Sequence, residues 1–223
     1  MPALDKRQYE SIKEAQRNTM LFKPVECCCA DGFHYTVRSA LPEDADVIAD
    51  FIKVTSTQSP YLPWEYVEGM RRPEYVRDYI ETFLNDPRRI VFTAWKGEQL
   101  IALFELTNFG NEKPVRHRGM MAAGVRSEFW GSGVANQMSE ILFHAAVDLG
   151  YERLDAVVDC ENRRSYEYSH KLGYIDYMIS PRHEKMDDGS YHDVYRMIKW
   201  LDPEIEKQEK ARLSADHNRG LNR

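Results

Sequence analysis

The segment that most constrains this chain is a run of small residues between a predicted strand and a predicted helix. The strand ends near Val125, and Trp130-Gly131-Ser132-Gly133 leads into the helix. That helix has one apolar face, and Gly150 stands where a C-terminal cap belongs. A Gly-Ser-Gly loop at a helix N-terminus lets a phosphate approach unpaired backbone N–H groups and the positive end of the helix dipole. The segment therefore predicts an anion site, although glycines also occur where a helix packs closely on a sheet.

Strand and helix patterns alternate along the rest of the chain. Two short strands flank Asp31-Gly32, and helical spacing follows from Leu41 and again from Glu74 to Leu84. The remaining patterns predict strands at 90–95, 100–106 and 115–125, helix 133–149, strand 151–159, helix 163–172, and strands 173–180 and 191–200. An antiparallel meander followed by β-α-β-α-β-β predicts an α/β (α+β) fold, in which helices pack on a mixed sheet.

The length of 223 residues suits one domain with short additions at its ends. Residues 1–32 are predicted to form an extension helix at 5–20 and a short strand. Residues 33–201 are predicted to form the domain, and residues 202–223 a charged, loosely held tail. Within the domain, an aromatic loop at 56–73 contains three prolines together with Trp64, Glu65, Tyr66 and Glu68.

Composition and charge exclude several classes of function. The net charge of −6 argues against nucleic-acid binding, which needs an excess of Lys and Arg. No apolar stretch approaches the roughly 20 residues of a membrane span, and the first residues lack the apolar core of a signal peptide. We therefore expect a cytoplasmic protein with no membrane contact. The run Cys27-Cys28-Cys29 fits neither a disulfide framework nor a zinc site, which favours reduced thiols and no metal.

Three ordered motifs resemble the GCN5-related N-acetyltransferase (GNAT) superfamily. Gly131-Ser132-Gly133-Val134-Ala135, with Trp130 in the Gln/Arg position, resembles its Gln/Arg-x-x-Gly-x-Gly/Ala motif. Asn162-Arg163-Arg164-Ser165, closing in Leu172-Gly173-Tyr174, looks like its Asn-x-x-Ala/Ser helix. Asp188 through Met197 is similar to the last hairpin of the ribosomal-protein-acetyltransferase-like branch. The resemblance covers about Phe33 to Leu201 and implies a GNAT-like mixed, mostly antiparallel sheet of six to seven strands, flanked by helices.

The resemblance also implies that acetyl-CoA is the cosubstrate. In that family the backbone at Val125 would contact the pantetheine arm, and Asn162 would help to hold it. The pyrophosphate would lie on the backbone of six consecutive residues, namely Gly131, Ser132, Gly133, Val134, Ala135 and Asn136. Asn162 also suits a helix N-cap, and the two roles can coexist.

Acyl transfer to an amine needs a neutral nucleophile, a donor to the tetrahedral oxyanion and a proton for the departing thiolate. The resemblance implies that a main-chain N–H near Gly124 and Val125 is the oxyanion donor. The family commonly has a Glu in this strand and a Tyr in the later helix, but this chain has Met120 and Ser169 at those positions. Holding the neutral fraction of the amine against the thioester is therefore the minimal mechanism.

Four side chains are candidates for the missing catalytic roles. Glu105 lies among apolar residues of a strand, where it could act as a base or face solvent on the polar side of the sheet. His117 could act as a base near neutral pH or simply be hydrogen-bonded in a strand. Tyr166 shares a helix face with Ser169 and could equally be a core aromatic. Ser169 could hydrogen-bond the sulfur or direct a water.

We therefore predict an acyltransferase that moves an acetyl group from acetyl-CoA to a primary amine by direct attack on the thioester. The alternative, motivated by Met120 and Ser169, is a CoA-binding sensor or interaction module that has lost turnover. The acceptor is an amine-bearing small molecule or a protein N-terminus, held by aromatic and carboxylate side chains of the loop at 56–73 and by the hairpin at 182–190. Those aromatics could equally anchor the loop to the core. The helix at 5–20 could pack on a partner subunit, which would give a homodimer.

Overall fold

A computed structural model of the chain describes residues 21–29, 32–62, 64, 67, 69–186 and 188–220, except for the side chains of 210 and 213–220. The described strands are β1 (Val25–Cys28), β2 (His34–Ser39), β3 (Ile90–Lys96), β4 (Gln99–Asn108), β5 (Arg118–Val125), β6 (Arg153–Asp159), β7 (Ile175–Lys185) and β8 (Tyr191–Trp200). The described α-helices are α1 (Ala45–Gln58), α2 (Pro73–Leu84), α3 (Val134–Asp148), α4 (Arg163–Lys171) and α5 (Pro203–Gly220).

The described strands form one mixed sheet in the order β1-β2-β3-β4-β5-β6-β8-β7. β5 and β6 are parallel, whereas β1–β2, β2–β3, β3–β4, β6–β8 and β7–β8 are antiparallel pairs. This arrangement confirms the predicted α/β fold with a mostly antiparallel sheet flanked by helices. Among the described residues the sheet has eight strands rather than six to seven, because Val25–Cys28 pairs with β2 and extends the edge.

Tertiary contacts divide the chain into two compact units. The first unit contains the described residues up to Asn108 together with Met121–Leu149. The second contains Phe109–Met120 together with the described residues from Gly150 onward.

The first unit has its hydrophobic core where α1 and α2 pack on β3 and β4. Pro73 opens α2 with Glu74 in its first turn, which suits the start of a helix. β4 is buried along most of its length, as expected of a strand with neighbours on both sides. Buried apolar side chains of this core include Ile48, Phe51, Ile52, Val76, Ile80, Phe83, Val91 and Leu103.

The second unit has a smaller core around β6 and β8, with Leu154, Val194 and Met197 buried. Within the charged tail predicted at 202–223, the structure has the helix α5. Pro203 is its first residue, acidic residues lie in its first turn, and Asp202 accepts the N–H of Glu204 at 2.8 Å. The extension helix predicted at 5–20 lies outside the described residues.

Candidate active site

The loop between β5 and α3 has a helix N-terminus that a bound anion can approach. A short 3-10 turn covers Ser127–Phe129, and α3 begins at Val134. Gly131 and Gly133 have φ values of 81° and 98°, in the left-handed region that favours glycine. The N-cap is Gly133, which has no side chain with which to cap the helix. The positive end of α3 is therefore available to an anion at this loop.

Trp130 covers the end of β5. Its indole Nε1–H donates to the carbonyl oxygen of Val125 at 2.8 Å, while 40 % of the residue is exposed. This carbonyl belongs to the residue for which the resemblance implies a pantetheine contact. A carbonyl oxygen has two lone pairs, so a pantetheine amide that donated to it would share it with the indole.

Glu105 on β4 is buried, with 4 % of the residue exposed, and does not face solvent. Trp64 donates its indole N–H to Oε1 at 2.5 Å, and Tyr79 donates its O–H to Oε2 at 3.0 Å. Burial raises the pKa of Glu105 to about 7, although the two hydrogen bonds and the charge of Arg89 oppose the rise. Glu105 therefore changes its protonation near neutral pH while both of its oxygens are hydrogen-bonded.

Trp64 connects this carboxyl group to β5. A Cβ added at Gly124 would lie 2.7 Å from Cζ3 of Trp64 and 3.2 Å from Cδ2 of Leu62. Only glycine allows the indole to approach the strand this closely. Through its hydrogen bond to Trp64, Glu105 therefore holds the indole ring against Gly124. Gly124 is one of the two residues near which the oxyanion donor is predicted. Three other predicted members of this loop, Glu65, Tyr66 and Glu68, lie outside the described residues.

The second unit contains three of the predicted site residues on or beside α4. Asn162 caps this helix, since its Oδ1 accepts the N–H of Ser165 at 3.1 Å, which confirms the N-cap interpretation. The ring centroids of Tyr166 and Tyr195 lie 4.3 Å apart. Burial raises the pKa of Tyr166. Ser169 is buried, with 6 % of the residue exposed. Tyr166 and Ser169 are three residues apart and so share a helix face.

His117 lies in the turn before β5 and not within a strand. Its carbonyl oxygen accepts the N–H groups of Glu152 at 2.9 Å and Arg153 at 3.2 Å. Val125 is the last residue of β5, so His117 and the predicted oxyanion donor lie at opposite ends of the strand.

Sequence reasoning missed a pair formed by Asp159 and His192 in the second unit. Nδ1 of His192 lies 2.6 Å from Oδ2 of Asp159, which is buried at the end of β6. The two residues are 33 positions apart in the sequence, and neither stands out in its own segment. Only the pairing register of β6 and β8 shows that they meet.

Residues 35–175 match the family model described as the acetyltransferase (GNAT) domain, which is more than half of the chain. The chain belongs to the GNAT acetyltransferase family. It is therefore an acyltransferase, and acetyl-CoA is its cosubstrate.

Solved structures of GNAT proteins have the same fold. The GNAT-family acetyltransferase of Streptococcus pneumoniae is 20 % identical, with a TM-score of 0.68 over 74 % of this chain and 99 % of that chain. The ribosomal-protein-S5-alanine acetyltransferase of Vibrio fischeri is 17 % identical, with a TM-score of 0.68 over 80 % and 98 %. The yncA protein of Salmonella typhimurium, solved with its cofactor acetyl-CoA, is 17 % identical, with a TM-score of 0.61 over 76 % and 95 %. No curated protein matches the chain by sequence.

The loop of this GNAT enzyme fits the pyrophosphate of acetyl-CoA by its own geometry, because two left-handed glycines precede a helix whose N-cap has no side chain.

Among the described helices of this acetyltransferase, none is long and apolar enough to cross a membrane. Within the same part of the chain, no group of three or more His, Cys, Asp or Glu side chains could hold a metal ion.

Proposed function

We propose that this enzyme acetylates a primary amine, on a small molecule or a protein N-terminus, by direct attack of the amine on the thioester of acetyl-CoA. The observation that carries the proposal is the N-terminus of α3, where Gly131 and Gly133 have positive φ and the N-cap, Gly133, has no side chain of its own. The motif from Asp188 to Met197 and the fold of the S5-alanine enzyme support the ribosomal-protein-acetyltransferase-like branch. The proposal includes a cytoplasmic enzyme and a homodimer formed through residues 5–20.

In this proposal the first turn of α3 and the loop before it bind the pyrophosphate. Backbone N–H groups act there together with the helix dipole, and both favour an anion. The backbone of Val125 and the side chain of Asn162 bind the pantetheine arm. The pyrophosphate residues are Gly131, Ser132, Gly133, Val134, Ala135 and Asn136.

The reaction needs few catalytic side chains. The neutral amine attacks the carbonyl carbon of the thioester, and a main-chain N–H near Gly124 and Val125 stabilises the oxyanion. The C–S bond then breaks with its electron pair on sulfur, the nitrogen loses one proton to give the neutral amide, and the thiolate takes up one proton to give CoA thiol. Tyr166 is the proposed proton donor for this step, and Ser169 hydrogen-bonds the sulfur or directs a water. His117 is retained as a candidate base on its residue type alone.

We assign Glu105 a positioning role, because Trp64 and Tyr79 occupy its two oxygens and the residue is 4 % exposed. It holds Trp64 against Gly124 and so shapes the surface on which the thioester and the acceptor would meet. Fixing this surface matters, since a misplacement of about 1 Å can lower a rate by about 100-fold.

A matched pair of glycine variants tests the cofactor site. Gly131 and Gly97 both have positive φ, 81° and 58°, and a Cβ added at either would meet nothing within 4 Å. Each Gly→Ala change should cost about 1–2 kcal/mol of stability through backbone strain. Only Gly131→Ala should weaken acetyl-CoA binding in titration calorimetry, by about 10-fold, since a hydrogen bond to a charged group contributes about 1.5–3 kcal/mol. Equal affinity of the two variants would contradict the site.

Turnover is tested by release of CoA thiol with a panel of small amines and peptide N-termini. We expect wild-type protein to release CoA with at least one primary amine and to form the corresponding amide. Binding of acetyl-CoA without release on any amine would favour the sensor alternative, which the family match does not support. Absence of binding would exclude both functions.

A further inference from the structure

Gln58 joins the end of α1 to the turn that follows β5. It is the last residue of α1, and its side-chain Oε1 accepts the N–H of Ser127 at 2.8 Å, 69 positions further along the chain. Ser127 is the first residue of the 3-10 turn between β5 and α3. Both residues are partly buried and belong to the first compact unit. The contact therefore connects the start of the loop after α1 to the loop before α3.

Two further hydrogen bonds connect Ser127 to the residue proposed above to bind the pantetheine arm. The carbonyl oxygen of Ser127 accepts the N–H of Trp130 at 3.1 Å, and the indole of Trp130 donates to the carbonyl oxygen of Val125 at 2.8 Å. Gly131 follows Trp130 directly. The position of Ser127 therefore sets the course of the chain from Val125 to the first glycine of the loop.

The loop after α1 meets the end of β5 at a second place. A Cβ added at Gly124 would lie 3.2 Å from Cδ2 of Leu62 and 2.7 Å from Cζ3 of Trp64, so both side chains pack directly on this glycine. Gly124 and Val125 are the residues near which the oxyanion donor is predicted. The contacts of Gln58, Leu62 and Trp64 therefore hold this loop at two points along the end of β5.

The loop before α3 also has internal hydrogen bonds. Oγ of Ser132 donates to the carbonyl oxygen of Phe129 at 2.7 Å, and the backbone N–H of Gln137 donates to the carbonyl oxygen of Gly133 at 3.1 Å. Neither of these bonds involves Gln58. Loss of the Gln58 contact should therefore leave the proposed pyrophosphate site largely intact while it releases the turn beside the proposed thioester site.

We propose that Gln58 is a positioning residue for acyl transfer, which fixes the loop after α1 against the end of β5. The inference rests on the proposed function, because that function brings the acceptor amine and the thioester together beside Gly124. Gln58 acts through the backbone of Ser127 and takes no part in proton transfer. Its contact sets the separation of the two substrates, and a misplacement of about 1 Å can lower a rate by about 100-fold.

Gln58→Leu tests this role, because it replaces the acceptor oxygen with an apolar group. We expect kcat for CoA release with the most active amine of the panel to fall by about 10-fold, and acetyl-CoA affinity in titration calorimetry to change by less than about 3-fold. Gln58→Glu keeps an oxygen that can accept the N–H of Ser127, so its kcat should lie within about 3-fold of wild type. A role in folding alone would produce neither this split between kcat and affinity nor the rescue by glutamate.

Ser39→Ala is the matched control, because Oγ of Ser39 likewise accepts a distant backbone N–H, that of Phe22 at 2.9 Å. Ser39 lies on β2, three strands from β5 in the sheet order. The variant should lose a comparable hydrogen bond and keep wild-type kcat. Hydrogen exchange of the Ser127 amide measures the Gln58 contact itself and should be about 10-fold faster in Gln58→Leu than in wild type or Gln58→Glu.

Wild-type kcat in Gln58→Leu, or losses of the same size in Gln58→Leu and Gln58→Glu, would overturn the inference while the wild-type enzyme remains active. A loss of acetyl-CoA affinity as large as the loss of kcat would also overturn it, because Gln58 would then act through cofactor binding. If Gln58→Leu lacks a cooperative unfolding transition, Gln58→Asn, whose oxygen is one methylene group closer to the backbone, takes its place. A wild-type enzyme that releases no CoA with any amine would overturn the proposed function, and the inference with it.

Discussion

Two buried carboxylates, one in each compact unit, are held by different kinds of donor. Asp155 on β6 is 3 % exposed and faces two guanidinium groups, with Nη2 of Arg118 and Nη2 of Arg153 each 2.7 Å from its Oδ1. Glu105 on β4 is 4 % exposed, and its hydrogen-bond donors in the part of the chain that the structure describes are the neutral N–H of Trp64 and O–H of Tyr79. Similar burial therefore produces an ion-paired group in one unit and a group that titrates near neutral pH in the other.

The difference indicates what each carboxyl group contributes. A buried charge with charged partners depends on them, because removal of one member leaves the others without compensation. A buried carboxyl group with neutral donors can gain or lose its proton and still be hydrogen-bonded. We therefore expect Asp155 to matter mainly for folding and Glu105 to make the stability of the region around Trp64 depend on pH.

The largest expected effect is that of Asp155→Ala, which removes the anion between Arg118 and Arg153. The free energy of unfolding should fall by about 3–5 kcal/mol, since two partly buried guanidinium groups lose their common partner. Urea denaturation measures this loss. Glu167→Ala, which breaks the exposed Arg163–Glu167 pair, is the control and should leave the unfolding midpoint nearly unchanged. An equally small effect for both variants would show that the Asp155 cluster does not stabilise the fold.

The next effect is the pH dependence that Glu105 confers. Its pKa rises from 4.5 to about 7 on folding, so the folded protein binds more protons than the unfolded chain between these pH values. This stabilising contribution is complete below pH 4.5 and is lost as the pH rises through 7, a change of about 3 kcal/mol. Glutamine does not titrate, so Glu105→Gln should lack this pH dependence. Its free energy of unfolding relative to wild type should therefore increase from pH 5 to pH 8 in urea denaturation.

The same variant tests the role of Glu105 in catalysis. A positioning role predicts that Glu105→Gln retains most of its kcat, because glutamine can still accept the N–H of Trp64. Removal of a catalytic base would instead lower kcat by about 100-fold or more, and a loss of that size would make Glu105 the base. A constant stability difference across the pH range would contradict the raised pKa.

The smallest effect is expected from Tyr79→Phe, which removes one of the two neutral donors. The loss should be about 1 kcal/mol at pH 5, where Glu105 is protonated, and larger at pH 8, where the remaining acceptor is charged. Because Tyr79 lowers the pKa of Glu105, its removal should also move the midpoint of the pH dependence upward. Tyr191→Phe, at an exposed tyrosine, serves as the control in the same denaturation series. Identical losses at the two pH values would indicate that Tyr79 does not contact the ionised carboxylate.

Features encoded in contiguous residues could be predicted from the sequence. The order of strands and helices follows from local periodicity, and the loop before α3 follows from glycines beside an amphipathic helix. Asn162 at the start of α4 and Gly150 after α3 were predicted as caps for the same local reason, and the structure has them there. The helix α5 in the tail could not be predicted in this way, because a polar helix has no apolar periodicity in its sequence.

The sequence by itself determined the family, the glycine loop before α3 and the sheet that carries it, since these depend on neighbours along the chain. Only the tertiary structure decided that Glu105 is buried beneath Trp64 and that His192 meets Asp159. Burial and desolvation depend on residues 41 and 33 positions away in these two cases. Local sequence patterns do not contain the packing or the strand register that brings such residues together, and it is this environment that sets their charge.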